Sequence, residues 1–315
     1  MEVNMKKVLV VGSINIDLVA TVTAFPKPGE TLTGRGFNMF PGGKGANQAV
    51  AAARLGADVT ILGKIGEDSF GQMAINALNK SNVRTHLIEI EERESTGIAL
   101  IQVTDSGENS IVVIPGANRF VDVDYVQRNR KEMEVCDVIL LQLEIPYETV
   151  EWIAEYAFRN GKTVILDPAP ARQVSERLLQ NISFITPNDT ELKILANLEA
   201  GSDTGTERAI RKLLDKGVNM VIYKAGAEGA YIADRDSIKH IQGHRVKAVD
   251  TTAAGDSFNG GFAYALSLGK NIRSSVEYAN AVGAISVTKL GAQSAIPTSD
   301  EVDVFLKIFS KNGDS

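Results

Sequence analysis

The sequence predicts an α/β fold: a mostly parallel central sheet flanked by helices, with a small β-sheet set beside it. Three observations predict it. Short runs of β-branched residues and leucine recur along the chain, beginning with Val8-Leu9-Val10-Val11. Helical stretches that stop at glycines lie between them. Two stretches, near residues 31–38 and 96–114, break that alternation with β-rich sequence of a different kind.

The run Val8–Val11 ends at Gly12 and is apolar throughout, which suits a strand buried on both faces. Val138–Leu143, Val164–Asp167, Phe184–Thr186 and Val218–Tyr223 repeat the pattern. Between them, Thr149–Asn160 precedes Gly161 and Thr206–Lys216 precedes Gly217, glycines placed to end helices. Strands alternating with helices form βαβ units and hence a parallel sheet. Thr31–Asn38 follows the turn segment Pro26-Lys27-Pro28-Gly29 and reads as a strand. Thr96–Val103 and Ser110–Ile114 flank Asp105-Ser106-Gly107-Glu108, which reads as a hairpin loop. These pieces predict an inserted lid over 15–40 and 94–115, with the α/β core formed by 1–14, 41–93 and 116–315. There is no linker-like low-complexity segment and no repeat of 20–50 residues.

Composition removes several function classes. A length of 315 residues, 44% hydrophobic and 23% charged, is ordinary for a globular chain. The net charge of −6 argues against a nucleic-acid partner, which needs a basic footprint. No apolar stretch approaches the roughly 20 residues of a membrane span, and the N-terminus reads as a strand rather than a leader. The single cysteine, Cys136, precedes Val138–Leu141 and reads as a small buried hydrophobe. The expected setting is cytoplasmic. His86, His240 and His244 have no metal-ligand spacing and read as surface residues.

The strongest chemical signal is Asp250-Thr251-Thr252-Ala253-Ala254-Gly255-Asp256, followed by a small-residue helix. Helix starts carry unpaired N–H groups and partial positive charge, and tiny side chains let an anion reach them. Asp256 there either caps the helix or takes a proton from an incoming hydroxyl. A second signal is Pro41-Gly42-Gly43-Lys44-Gly45-Ala46-Asn47-Gln48. It is not a Walker A loop: the spacing fails at Asn38, and Gly45 stands where Ser or Thr is needed. It reads as a helix-leading turn or as a polyol-binding loop. A third is Gly12-Ser13-Ile14-Asn15-Ile16-Asp17, which lacks the later glycines of a dinucleotide fingerprint and so disfavours a nicotinamide enzyme. At strand spacing Asn15 and Asp17 share one face, either as sugar acceptors or as a solvated edge. Asn188 and Glu191 have capping-box spacing. Lys224-Ala225-Gly226 reads as a turn, and Glu144 closes a strand where open sheets bind ligands.

Together, residues 42–49 and 250–256, with Asn188 and Glu191 between them, resemble the two signatures of the PfkB carbohydrate kinases, in particular the ribokinase branch. The resemblance runs from Val8 to about Phe309. It implies a ribokinase-like fold and ATP-dependent phosphorylation of the 5-hydroxyl of D-ribose. By position, Asn15, Asp17, Gly43, Lys44, Gly45, Asn47 and Glu144 would bind the sugar. Asn188, Lys224, Gly226, Glu228, Gly229, Gly255 and Asn280 would line the ATP site. Asp256 would be the general base, with amides from Ala253, Ala254, Gly255 and Asp256 forming an anion hole. Asn188 and Glu191 would organise magnesium through water. A potassium-type monovalent ion would be held by groups of Asp250, Thr252, Ser286, Lys289 and Gly291. A homodimer formed through the lid is also implied. Two positions depart from the family pattern: Ala253, where glycine is usual, and Ala295, where ribokinases often carry serine, with Ser294 adjacent. The alternatives are a deoxyribokinase, another sugar or nucleoside kinase of the family, and a sugar sensor that has lost catalysis.

Overall fold

The computed structural model describes residues 5–198 and 205–312. In chain order its strands are β1 (Val8–Val11), β2 (Asn15–Val22), β3 (Gly36–Gly42), β4 (Val59–Leu62), β5 (Lys64–Gly66), β6 (Glu89–Glu91) and β7 (Gly97–Thr104). Then come β8 (Asn109–Ile114), β9 (Val138–Leu141), β10 (Thr163–Leu166), β11 (Phe184–Ile185), β12 (Val221–Lys224), β13 (Gly229–Ala233) and β14 (Ile238–Gln242). The main sheet has the order β14-β13-β12-β11-β10-β9-β1-β4. Six of its strands are parallel, and β13 and β14 add an antiparallel hairpin at one edge.

Alternate residues of each central strand feed two separate cores. Leu9, Val11, Ile139 and Leu141 pack with Ile153 and Ile210 on one face, while Val8, Val10, Val138 and Leu140 pack with Val50, Phe262 and Ala263 on the other. That is the two-sided burial expected of strands apolar at every position. The chain leaves β1, builds part of the small sheet and returns to β4 on one side of β1, whereas β9 lies on the other side. Strand order therefore reverses at β1, and the carboxyl ends of β1 and β9 open the crevice where such sheets bind ligands.

The small sheet has the order β3-β2-β7-β8, so it draws on two stretches of chain, 15–42 and 97–114. The Gly107 hairpin forms as expected, with Thr104 N donating to Glu108 O. The expected strand over Thr31–Asn38 is instead Gly36–Gly42. Pairing with β2 fixes this, because Asn15 stands opposite Gly42 and the ladder runs out at Thr21 opposite Gly36. The polar residues 31–35 lie beyond the ladder. The last main-sheet run likewise starts at Val221 rather than Val218, where it meets Ile185 of β11.

Two helices place the chemistry. Lys44–Arg54 and Ala254–Ser267 pack face to face, and a methyl group added to Gly260 would lie 2.3 Å from the Ala51 Cβ. That close approach brings Asn47 and Gln48 onto Asp256. Cys136 is buried, and burial pushes its thiol up to about 12, so it is the inert core residue expected. Among the described residues, no helix is long and apolar enough to cross a membrane.

Candidate active site

The carboxyl edge of the main sheet gathers the polar groups. β1 runs into Ser13 and Asn15, β9 into Gln142 and Glu144, β10 into Asp167, β11 into Asn188, and β12 ends at Lys224. A cavity of about 490 Å³ opens over this edge. Its walls include Lys44, Asp167, Asn188, Glu191, Lys224, Gly226, Gly229, Gly255, Asp256 and Asn280.

Asp256 is not the helix cap. Ala253 occupies the cap position without a side-chain hydrogen bond, and Asp256 lies in the first turn, 6% exposed. Its Oδ2 accepts from Asn47 Nδ2 at 2.9 Å and its Oδ1 from Gln48 Nε2 at 3.1 Å. Burial lifts its pKa to about 6; Lys44 opposes the rise, Asp167 adds to it, and the Asn47 and Gln48 hydrogen bonds restrain it. A carboxylate in the first turn also faces the positive end of the helix. Of the amides expected to form an anion hole, Ala254 N already donates to Thr251 O at 3.2 Å. Among the described residues, no acceptor within hydrogen-bonding range meets the Ala253, Gly255 or Asp256 amide. Those three are the amides open to an anion. Gly255 also borders Lys224, whose Nζ would lie 3.4 Å from a methyl group placed there.

Asp17 is the second perturbed acid, raised to about 7 by burial, with Glu144 and Asp256 adding to the rise and Lys44 opposing it. Burial alone would lower the Lys44 pKa, but Asp256, Asp167, Glu144 and Glu191 outweigh it and hold the ammonium charged. Glu144 accepts from the Ser13 hydroxyl and, at 3.2 Å, from Lys44 N. Asn15 Oδ1 accepts from Asn118 Nδ2 at 2.7 Å. Gly43 has φ of 88°, and a methyl group on it would press on Asn15 N at 2.7 Å. A methyl group on Gly45 would lie 2.6 Å from Gly12 C. Bare backbone at these two positions is what lets the loop pack against the end of β1.

The small sheet contributes through its register. Asn15 pairs with Gly42 of β3 on one side and Gly97 of β7 on the other. A methyl group on Gly42 would lie 2.4 Å from Asp17 Oδ1, and one on Gly97 would lie 2.2 Å from Asn15 Oδ1. Asn15 and Asp17 therefore share one face, while Leu18 lies on the other in a row with Met39, Leu100 and Val112.

At the end of β12, Lys224 Nζ pairs with Asp167 Oδ1 at 2.9 Å. Gly229 has φ of 101°, and a methyl group there would strike Ile241 O at 2.2 Å, so it holds the turn under the cavity open. Asn280 Nδ2 donates to Ile241 O at 3.3 Å. Glu228 is exposed and does not line the cavity. Asn188 and Glu191 form the full capping box: Asn188 N and Nδ2 donate to the two carboxylate oxygens of Glu191, and Glu191 N donates to Asn188 Oδ1. Burial raises the Glu191 pKa.

At the edge of the cavity, Asp250 Oδ1 accepts from Thr252 N at 2.9 Å and Oδ2 from Gly291 N at 3.0 Å. Burial would lift this carboxyl, but the Thr252 and Gly291 hydrogen bonds keep it below the usual range. Asp250 thus joins the loop that leads to the Ala254–Ser267 helix to the loop at 291. Ser286 Oγ turns back to Gly283 O, and Lys289 pairs with Glu301, so the side chains of both are engaged elsewhere. Among the described residues, no cluster of three or more His, Cys, Asp and Glu side chains is placed to hold a metal.

Several site residues were not singled out from sequence. Asp167 is 2% exposed and follows β10 directly, the same strand-end placement that marks Glu144. Gln48 stands next to Asn47 in the glycine loop and bridges two carboxylates. Asn118 holds Asn15 from more than 100 residues away, with no local signal. His244, expected at the surface, lines the cavity and packs edge-on against Phe305 and Phe309, with ring centroids 5.0 and 4.9 Å away.

A profile of the pfkB family carbohydrate kinases matches residues 5–299. The chain belongs to that family. This pfkB-family chain is 45% identical to the ribokinase of Haemophilus influenzae over 96% of its own length and 99% of the relative's. It is 37% identical to the deoxyribokinase of Salmonella typhi over 96% of its length and 99% of that relative's. The structure of Arabidopsis thaliana ribokinase complexed with ribose and ATP superposes with a TM-score of 0.88 at 29% identity, covering 96% of this chain and 99% of that one.

Proposed function

We propose that the chain transfers the γ-phosphoryl group of ATP to the 5-hydroxyl of D-ribose, giving ribose 5-phosphate and ADP. The observation that carries this reading is Asp256: a buried carboxylate with a pKa of about 6, one residue from unpaired helix-start amides and on the wall of a cavity that also contains Lys224. Asp256 takes the proton of the sugar hydroxyl, the hydroxyl oxygen attacks the γ-phosphorus, and the bond to the bridging oxygen breaks as ADP departs. The amides of Gly255 and Asp256 and the Lys224 ammonium face the charge that spreads over the transferring oxygens.

Asn15, Asp17, Gly43, Lys44, Gly45, Asn47 and Glu144 form the sugar side in this reading, and Asn188, Lys224, Gly226, Gly229 and Asn280 the nucleotide side. Glu228 would contribute through its backbone. Magnesium arriving with the nucleotide would be organised through water by Asn188 and Glu191 and would neutralise the phosphates. A monovalent cation would sit beside Asp250, taking carbonyl oxygens at Thr252, Ser286, Lys289 and Gly291. The oxygen-rich loops tied together by Asp250 support that placement. The small sheet, spanning 15–40 and 94–115, acts as the lid and, through its apolar outer face, as the contact of a homodimer working in the cytoplasm.

The test is an ADP-release assay with ribose and 2-deoxyribose at equal concentration, with and without potassium. Ribose is the preferred substrate and potassium raises the rate. Preference for deoxyribose would favour the second reading, which the similarity to the Salmonella typhi deoxyribokinase supports. Turnover of neither sugar would remove both.

A further inference from the structure

Gln48 carries a hydrogen-bond pattern that nothing in the sugar or nucleotide sites requires. It is wholly buried. Its Nε2 lies between two carboxylates, 3.1 Å from Asp256 Oδ1 and 2.9 Å from Asp167 Oδ2. Its Oε1 accepts from Gln142 Nε2 at 2.7 Å. This orientation is forced, because the reversed amide would aim its oxygen at two carboxylate oxygens and its NH₂ at another donor. Both N–H bonds of one planar group are used, so the two acids stand at a fixed separation.

Gln142 serves that orientation at a cost to itself. It is wholly buried, gives Nε2 to Gln48, and leaves its own Oε1 without a partner among the described residues. The backbone is shaped to admit it: a methyl group on Gly12 would lie 2.1 Å from Gln142 Oε1. The other oxygen of Asp167 takes Lys224. A continuous chain therefore runs Gln142, Gln48, Asp256 and Asp167, Lys224, from the sheet interior to the nucleotide wall.

We propose that Gln48, oriented by Gln142, is a positioning residue that holds the carboxylate of Asp256 in register with the Asp167–Lys224 pair. The proposal deepens the kinase reading and rests on it. Fixing the distance between the base and the cation on the phosphate side fixes where the hydroxyl must lie relative to the γ-phosphate. The charged groups around Asp256 are Lys44 from the glycine-loop helix, Asp17 from β2, and Asp167 just after β10, itself paired with Lys224 of β12.

The test compares Gln48→Leu and Gln142→Leu with the unaltered chain across pH. Gln48→Leu lowers kcat about 10- to 100-fold, the scale of a misplaced reacting group, and leaves KM for ribose unchanged. Loss of a donor to the ionised base moves the acid limb of kcat/KM up by about one pH unit. Gln142→Leu exchanges one unpartnered buried oxygen for another, that of Gln48, so Tm stays close to that of the unaltered chain. Its kcat and acid limb move the same way, by less. Unchanged kcat in Gln48→Leu, or a fall in kcat with the acid limb in place, would overturn the proposal. Titration of the Asp256 carboxyl by ¹³C NMR without sugar or nucleotide gives a readout independent of activity. If the unaltered chain phosphorylates no sugar, the kinase reading fails, while an upward shift of that carboxyl in Gln48→Leu still shows the bridge.

Discussion

Asn47 and Asp256 are joined at 2.9 Å across two helices, and Asn47 is itself held by Gln293 Nε2 on its Oδ1 at 3.2 Å. With Gln48 on the other oxygen, both carboxylate oxygens of Asp256 face donors. An amide in this place can accept at only one of them and has no basic oxygen to take a proton. Asp256→Asn accordingly lowers kcat by at least about 10²-fold, the scale of a general base. Ribose binding by calorimetry stays within a few-fold of the unaltered chain. Near-normal turnover would remove Asp256 from the role.

The pH profile follows from the same residue. Asp256 must be ionised to accept a proton, and its pKa is about 6. Asp17, near 7, interacts with it, so the two titrate as a pair. The expected kcat/KM is flat at alkaline pH and falls as pH drops through about 7 to 6. Replacing Asp17 by asparagine removes a neighbouring negative charge and shifts the midpoint down. A midpoint near 4 in the unaltered chain would contradict the buried-base assignment.

Asp17 also sets a stability cost. Its folded pKa of about 7 exceeds the ordinary 3.8, so between these values the folded chain binds a proton that the unfolded chain has released. Stability contributed by this group therefore falls as pH rises through that window. Asp17→Asn carries no such penalty. At pH 8 it is expected to be more stable by roughly 2–4 kcal/mol, with the gain vanishing below about pH 4. The same variant loses affinity for ribose. Urea unfolding at the two pH values is the measurement, and equal stability at pH 8 would refute the assignment.

The outer face of the small sheet predicts an assembly. Phe37 is 61% exposed and Val112 58%, and Met39 and Leu100, in one row with Val112, are also open. β8 is exposed along its whole length with one edge unpaired. Exposed apolar surface on an open edge strand calls for a covering partner. Sedimentation of the unaltered chain should give a dimer. Leu100→Glu with Val112→Glu should weaken dimerisation at least about 30-fold, the size of a hot-spot loss. A monomer in the unaltered chain would discard the interface.

Much of this site was legible because its chemistry is concentrated in short segments. The glycines around Lys44 let backbone pack closely, as at Gly43 and Gly45, and it was the resemblance of both segments to family signatures, not their spacing alone, that marked Asp256. Asp167 is a carboxylate after an apolar run, and nothing nearby in sequence separates it from a strand-ending surface acid; its significance comes from Lys224, 57 residues away. Asn118 reaches Asn15 across 103 residues. Asp256 itself is a favoured helix-cap type, and the cap at Ala253 with the hydrogen bonds from Asn47 and Gln48 shows that it turns inward instead. The start of β3 was misplaced because strand limits are set by the partner ladder rather than by the polarity of residues 31–35.

Gly42 and Gly97 flank β2 so tightly that no side chain fits beside Asn15 and Asp17. Sliding β2 by a single position would exchange its two surfaces, sending Leu18 to the face that carries Asn15 and Asp17 and an acid into the apolar row. The glycines act as a ratchet against that slip. Insertions and deletions within residues 15–22 should thus be lethal to activity even where the fold survives, whereas the long 23–35 connection can change length freely.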